Sequence, residues 1–211
     1  ELTPDGIDTL YTLVQGLFNK NRLLDVIKNF IYFPDASTSD LKVVCRYPQF
    51  FAAKKLHDSI LNNMKPEGSG KGGTYFGATG SGKSYTMLFL ARLLMRDRKL
   101  NSPTIVLITD RNDLDKQLSE QFVESKKFIG DNEVIKITDR EHLKNKLGTR
   151  NSGGVYLTTI QKFTENTDLL SDRNNIICIS DEAHGSQTNI NQKIIINDEV
   201  AHKRYGFAKY L

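Results

Sequence analysis

Cysteine is scarce here: 211 residues include two, Cys45 and Cys178, far apart and set among apolar neighbours. That excludes a disulfide-built scaffold, and neither residue has the partner spacing of a metal site. Two buried thiols in a reducing cytosol are expected, which gives a cytoplasmic location. Also lacking is any run approaching the roughly 20 apolar residues of a membrane-spanning helix, so no membrane partner is expected. The opening residues, Glu1-Leu2-Thr3-Pro4, offer neither a basic start nor an apolar signal core. No initiator Met stands before them, and the chain reads as a piece of something longer. There is no internal repeat, and low complexity is confined to a glycine loop at 66–73, PEGSGKGG. Charge of one sign is not in large excess. A net charge of +4 and a pI near 8.9 are compatible with nucleic acid but do not argue for it alone.

What is present suits a globular domain, with 38% apolar and 26% charged residues. Residues 7–32 have helical periodicity through Leu10, Leu13, Val14 and Leu17, then Leu23, Leu24, Ile27, Phe30 and Ile31. Asn21 is the expected break between two helices. Residues 34–40 are polar and turn-forming. A short strand is expected over 41–45 and a helix over 48–62, with Pro48 in its first turn. The glycine loop reads as a flexible surface connector. Further strands are expected at 74–78, 104–109, 134–137, 155–159 and 176–180. Helices are expected at 83–94, 114–122 and 141–147. Strands alternate with helices, and several strands are apolar on both faces. The pattern is α/β, a mostly parallel sheet wrapped by helices.

Gly77-Ala78-Thr79-Gly80-Ser81-Gly82-Lys83-Ser84 satisfies G-x-x-x-x-G-K-[ST] at each fixed position. Triphosphate oxygens need several backbone N–H groups turned inward, and glycine lets the chain bend that tightly. A helix starting near Lys83 aims its positive end at the same oxygens. Thr79, Gly80, Ser81 and Gly82 form the cradle, Lys83 neutralises the β- and γ-phosphates, and the Ser84 hydroxyl binds Mg²⁺. The expected ligand is a nucleoside triphosphate with Mg²⁺.

The second motif is an apolar strand, residues 176–180, that ends on Asp181-Glu182-Ala183-His184. In a P-loop fold this puts two carboxylates at the carboxyl edge of the sheet, beside the triphosphate. Asp181 is the candidate Mg²⁺ ligand, and Glu182 would orient and deprotonate the attacking water. His184 is a candidate for coupling the γ-phosphate state to the rest of the protein.

Asp-Glu-Ala-His after a P-loop resembles superfamily 2 helicases. More specifically, the chain is similar to the R subunit of type I restriction enzymes. The similarity runs through Arg22-Leu23-Leu24-Asp25-Val26-Ile27-Lys28-Asn29-Phe30, Arg46-Tyr47-Pro48-Gln49 and the P-loop. It continues through Ile108-Thr109-Asp110-Arg111-Asn112-Asp113-Leu114-Asp115, Thr158-Thr159-Ile160-Gln161-Lys162-Phe163 and Asp181 to His184 with Ser186-Gln187. The resemblance implies a RecA-like P-loop NTPase lobe, a three-layer sandwich preceded by a helical linker. Residues 1–40 would be that linker, joining an upstream nuclease domain, and 41–211 the first motor lobe, ending before the second. It implies ATP hydrolysis coupled to translocation of double-stranded DNA and remote cleavage. The implied partners are double-stranded DNA and the modification (methyltransferase) and specificity subunits. Gln49 would read the adenine edge, with Arg46 or Tyr47 stacking on the ring. Asp110, Arg111, Thr158, Thr159 and Gln161 match motifs that touch the DNA backbone, for which helix capping or strand-end solvation is the alternative. Two positions depart from the family's pattern: Pro48, where histidine is more usual, and Gly185, where arginine is.

Other readings stay open at this point. The chain could be the lobe of another superfamily 2 motor, of the type III restriction or repair kind. As an isolated piece it could bind nucleotide without turnover. A P-loop small-molecule kinase fits poorly with Asp-Glu-Ala-His. Glu124-Ser125-Lys126 matches the E-x-K of nucleases but has no partnering aspartate in a strand, and reads as solvated charge.

Overall fold

The computed structural model describes residues 9–35, 41–109, 112–131, 133–160, 170–181, 193–197 and 200–204. It opens with helices α1 (Thr9–Leu17) and α2 (Lys20–Asn29). The break comes at Asn19 and not at Asn21. The Asn19 side chain accepts the Arg22 N–H at 3.3 Å, satisfying one of the donors that a helix start leaves unpaired. The helical pattern also ends sooner than expected. Ile31–Tyr32 forms strand β1, paired antiparallel with β2 (Val43–Val44). Periodicity cannot separate one apolar strand residue from another turn of helix, and here Phe30 decides it. Phe30 is fully buried against Phe50 and Phe89, with ring centroids 4.7 and 5.3 Å away.

Helix α3 (Tyr47–Asn62) follows, with proline in its first turn. The glycine loop after it is not a loose connector. The Gly68 N–H donates to Met64 O at 2.6 Å and the Gly70 N–H to Asn63 O at 2.7 Å. The loop thus plugs carbonyls at the end of α3, as a helix C-terminus requires. Any Cβ at Gly68 would run into the Asn63 backbone, so glycine is what permits the approach. The expected strand at 74–78 is not formed. That stretch has no ladder partner among the described residues, and Phe76 is 94% exposed. Apolar residues become a strand only when a neighbouring strand takes up their backbone hydrogen bonds.

Helix α4 (Lys83–Arg96) leads through a 3₁₀ turn, Arg98–Leu100, to strand β3 (Thr104–Thr109). Then come α5 (Asn112–Val123), α6 (Lys126–Ile129), β4 (Val134–Lys136), α7 (Arg140–Thr149), β5 (Val155–Thr159) and β6 (Ile176–Ser180). Strands β7 (Lys193–Asn197) and β8 (Val200–Arg204), which the sequence reading did not anticipate, form an antiparallel pair. The main sheet is parallel, in the order β4-β5-β3-β6.

Alternation along the strands sorts the core into two clusters. Ile105, Leu107, Val155 and Leu157 face α4 and α5, meeting Leu88, Leu94, Leu118 and Phe122. Val106, Ile108, Tyr156 and Ile160 face the other way, onto Leu143 and Leu147 of α7. The two sides follow from chain direction. The path runs outward from β3 to the edge strand β4, then back inward to β5, and right-handed crossovers in opposite directions put their helices on opposite faces. The result is the three-layer α/β architecture expected.

At the amino edge of the sheet a polar clamp joins β4 to β5. The Asp131 carboxylate accepts the Gly154 N–H at 2.5 Å, the Glu133 N–H at 2.8 Å and the Arg150 guanidinium at 3.1 Å. Arg150 also pairs with Glu133, as does Lys146 at 3.2 Å. An open cavity of about 450 Å³ lies here, with Met95, Gly130, Asp131 and Gly153 among its walls.

Candidate nucleotide site

The same cavity fixes the direction of α4. Met95, near the C-terminus of that helix, lines this cavity together with Gly153 and Asp131 at the amino edge of the sheet. Helix α4 therefore runs antiparallel to the strands. Its 14 residues span about 21 Å at 1.5 Å per residue, comparable with the roughly 20 Å of the six-residue β3. Its N-terminus, and with it the P-loop, consequently stands at the carboxyl edge.

Strand register brings Asp181 to the same place. Leu107 lies opposite Ile179 and Ile105 opposite Ile177, and all four belong to the core on the α4 side. The Asp181 N–H continues the ladder onto Ile108 O at 2.8 Å. Two residues beyond Ile179, Asp181 keeps that parity, on the face of the sheet where Lys83 opens α4. The half-buried Lys83, Ser84 and Asp181 thus share one edge and one face.

The loop between them is shaped for an anion. Gly80 and Gly82 have φ of +76° and +81°, left-handed values that suit glycine. A Cβ on Gly80 would meet nothing within 4 Å, so the backbone is open on that side. Ser81 Oγ is buried with no hydrogen-bond partner among the described residues. The Ser81 N–H donates to Ala78 O at 3.1 Å, and the Thr86 N–H to Gly82 O at 3.1 Å, which fixes the turn into α4. Left-handed glycines, an open backbone face and an orphaned hydroxyl at a helix start fit a phosphate ligand.

Gln49 reaches this loop from α3. Its Oε1 accepts the Arg46 N–H at 2.7 Å, while Nε2 lies 3.2 Å from Gly82 O and 3.5 Å from Ser81 O. Each end of the amide thus holds a protein group, and Oε1 keeps a second lone pair. Tyr47, expected to stack on the base, is largely exposed and lies 4.7 Å from the Phe51 ring.

Thr158 and Thr159 reach the carboxyl edge, level with Ile108 and Thr109, but they do not present hydroxyls to a backbone outside. They are 1% and 2% exposed, because flanking strands and both helical layers cover them. Thr158 points to the α7 side, and Thr159 to the α4 side with Thr109. Thr109 was missed as a site residue, and its place at the carboxyl end of β3, the strand paired with the one that leads into Asp181, is the signal that could have found it. Thr109 and Thr158 both hold buried hydroxyls without partners among the described residues. Asp110, Arg111, Gln161, Glu182 and His184 lie outside the described residues. Ser125 of the E-x-K match is buried at the start of α6 while Glu124 is exposed, as solvated charge would be. The two thiols are less hidden than expected: Cys45 is half-buried and Cys178, on the terminal strand of the main sheet, is exposed.

Residues 48–207 match the SWI2/SNF2 ATPase family. The type I restriction enzyme HindI endonuclease subunit of Haemophilus influenzae is 39% identical over 193 residues, covering 89% of this chain and 18% of that protein. A provisionally named type I restriction enzyme MjaIXP endonuclease subunit of Methanocaldococcus jannaschii is 37% identical, covering 84% of this chain and 17% of that protein. A third relative, from Mycoplasma pneumoniae, is provisionally named the C-terminal part of the MpnIIP endonuclease subunit of a type I restriction enzyme. It is 31% identical, covering 86% of this chain and 89% of that protein. The chain spans less than a fifth of the length of the first two.

Proposed function

The chain belongs to the SWI2/SNF2 ATPase family, among the type I restriction endonuclease subunits, and from that premise we propose that it is the ATP-binding motor lobe of such a subunit. In this reading it couples ATP hydrolysis to movement along double-stranded DNA and to remote cleavage, working with modification and specificity subunits. The observation that carries it is the shared position of Lys83, Ser84 and Asp181, at the carboxyl edge of the sheet on the face covered by α4. Residues 79–84 bind the phosphates through backbone N–H groups, and Lys83 adds the cation. Ser84 and Asp181 would hold Mg²⁺, which would supply neutralisation of the phosphate charge. Glu182 orients the attacking water and accepts its proton, and His184 senses the result. Asp110, Arg111 and Gln161 are proposed contacts to the DNA backbone.

Titration calorimetry with Mg²⁺-ATP tests the cradle. Lys83→Ala should weaken binding at least tenfold, and unchanged affinity would sink the assignment. In the longer protein, Glu182→Gln should abolish DNA-stimulated phosphate release while sparing ATP binding. An active variant would remove Glu182 from its role.

A further inference from the structure

We propose that Thr109 is a positioning residue for Asp181, its hydroxyl donating to that carboxylate when Mg²⁺-ATP is bound. The inference rests on the nucleotide-site reading above and adds a residue to it. On the α4 face of the sheet the strands are apolar for most of their length: Ile105 and Leu107 on β3, Val155 and Leu157 on β5, Ile177 and Ile179 on β6. At the carboxyl edge that layer turns polar, with Thr159, Thr109 and Asp181 side by side. Thr109 lies opposite Thr159 in the β3–β5 ladder. The β3–β6 register, which pairs Ile108 with Ser180, brings Asp181 opposite Thr109. The bond from the Asp181 N–H to Ile108 O holds that register to its end.

Neighbouring strands lie about 4.8 Å apart, and residues of one parity leave the sheet on the same side. The Thr109 hydroxyl is therefore within reach of the Asp181 carboxylate. Thr109 is 2% exposed, and its Oγ1 is buried with no partner among the described residues. A buried hydroxyl with nothing to bond costs free energy, and valine would fill the same space without that cost. Packing alone thus does not account for threonine here. A carboxylate has roughly four lone-pair positions, so Asp181 can take this donor and still offer an oxygen to a metal. Mg²⁺ demands near-ideal octahedral geometry, and a hydrogen bond to a ligating carboxylate is what aims it. Thr109 suits that task because its branched side chain is stiff and its strand is flanked by a partner on each side.

The discriminating variable is the metal. Affinity for Mg²⁺-ATP, and for ATP in excess EDTA, is measured by titration calorimetry on the 211-residue chain. The variants are Thr109→Val, Thr109→Ser, Asp181→Ala and the double variant Thr109→Val with Asp181→Ala. Loss of the hydroxyl should weaken Mg²⁺-ATP about tenfold and leave metal-free ATP unchanged. Thr109→Ser should restore most of that loss. Where Asp181 is already alanine, the valine should add nothing, because its effect passes through the carboxylate. The urea midpoint of Thr109→Val should stand at or above that of the wild type. Unchanged Mg²⁺-ATP affinity in Thr109→Val, an equal loss with and without metal, or an undiminished loss in the double variant would each overturn the proposal. So would a lowered urea midpoint, which would make the hydroxyl a support of the fold. A wild-type chain that binds no ATP, or binds it equally with and without Mg²⁺, would instead bring down the nucleotide-site reading, and this inference with it.

Discussion

Asp181 shows what one residue's position owes to its strand. Its carboxylate comes to the α4 face because Ile177 and Ile179 pack there, partly buried, and side chains alternate along a strand. The sequence made this legible, since the P-loop and the carboxylate pair are motifs with a fixed structural context. The buried state of Thr158 and Thr159 was not legible, because a threonine at a strand end reads the same whether covered or exposed. The thiols show the same limit. Cys45 sits beside Phe30, whose carbonyl accepts its N–H at 3.0 Å, and burial pushes its thiol up to about 11. The thiolate is the reactive form. Against the usual value of 9.0, Cys45 should be alkylated by iodoacetamide at pH 8 roughly 100-fold more slowly than a free cysteine. Peptide-resolved mass spectrometry across pH should show the rate still climbing toward pH 11. Because the folded value is the higher one, stability that depends on the neutral thiol is complete at neutral pH and falls as pH rises from 9 to 11. A rate that levels off near pH 9 would contradict this.

Among the elements, helices were easier to read than strands. The start of α3 was foreseen from Pro48, and α7 was found within two residues at each end. Its cap, Asp139, accepts the His142 N–H at 2.8 Å. Strands depend on partners that lie far off in sequence. For that reason 74–78 looked like a strand without being one, and Ile31–Tyr32 looked helical. Contacts between elements were not legible at all. Arg92 on α4 is an example: its guanidinium donates to Lys28 O at 3.2 Å and to Phe128 O, and lies over the Phe128 ring at 4.9 Å. One side chain thus closes carbonyls near the ends of both α2 and α6. Arg92→Ala should lower stability by about 2–3 kcal/mol, since two carbonyls lose a charged donor and the ring its cover. Arg92→Lys should recover less than half of that, because an ammonium lacks the planar fork that spans both sites. Urea midpoints with an unchanged slope are the measurement, and wild-type stability in Arg92→Ala would refute the account.

For the molecule as a whole, the 211 residues correspond to less than a fifth of two of the relatives they match. Tested alone, the chain is expected to bind ATP but release phosphate slowly. In our reading the motor site is completed by an arginine from a second lobe, a contribution worth roughly 10³–10⁵ in rate. DNA binding by these residues should be weak, indifferent to sequence and steeply salt-dependent, because the proposed contacts are to the backbone. Fluorescence anisotropy between 50 and 200 mM salt, with a parallel phosphate-release assay, covers both expectations. Robust DNA-stimulated release from these residues alone, or tight binding that survives high salt, would contradict them.

The two edges of the sheet are finished differently. At the amino edge Asp131 is saturated with donors from Gly154, Glu133 and Arg150. At the carboxyl edge the buried hydroxyls of Thr109 and Thr158 have no partner among the described residues, and neither does Ser81 Oγ in the P-loop. Evolution can therefore tune the two ends separately. Changes at the amino edge draw down the folding margin with no direct return in activity. The carboxyl edge holds polar groups that stability alone would have replaced, so apolar substitutions there can make the protein sturdier and leave it idle.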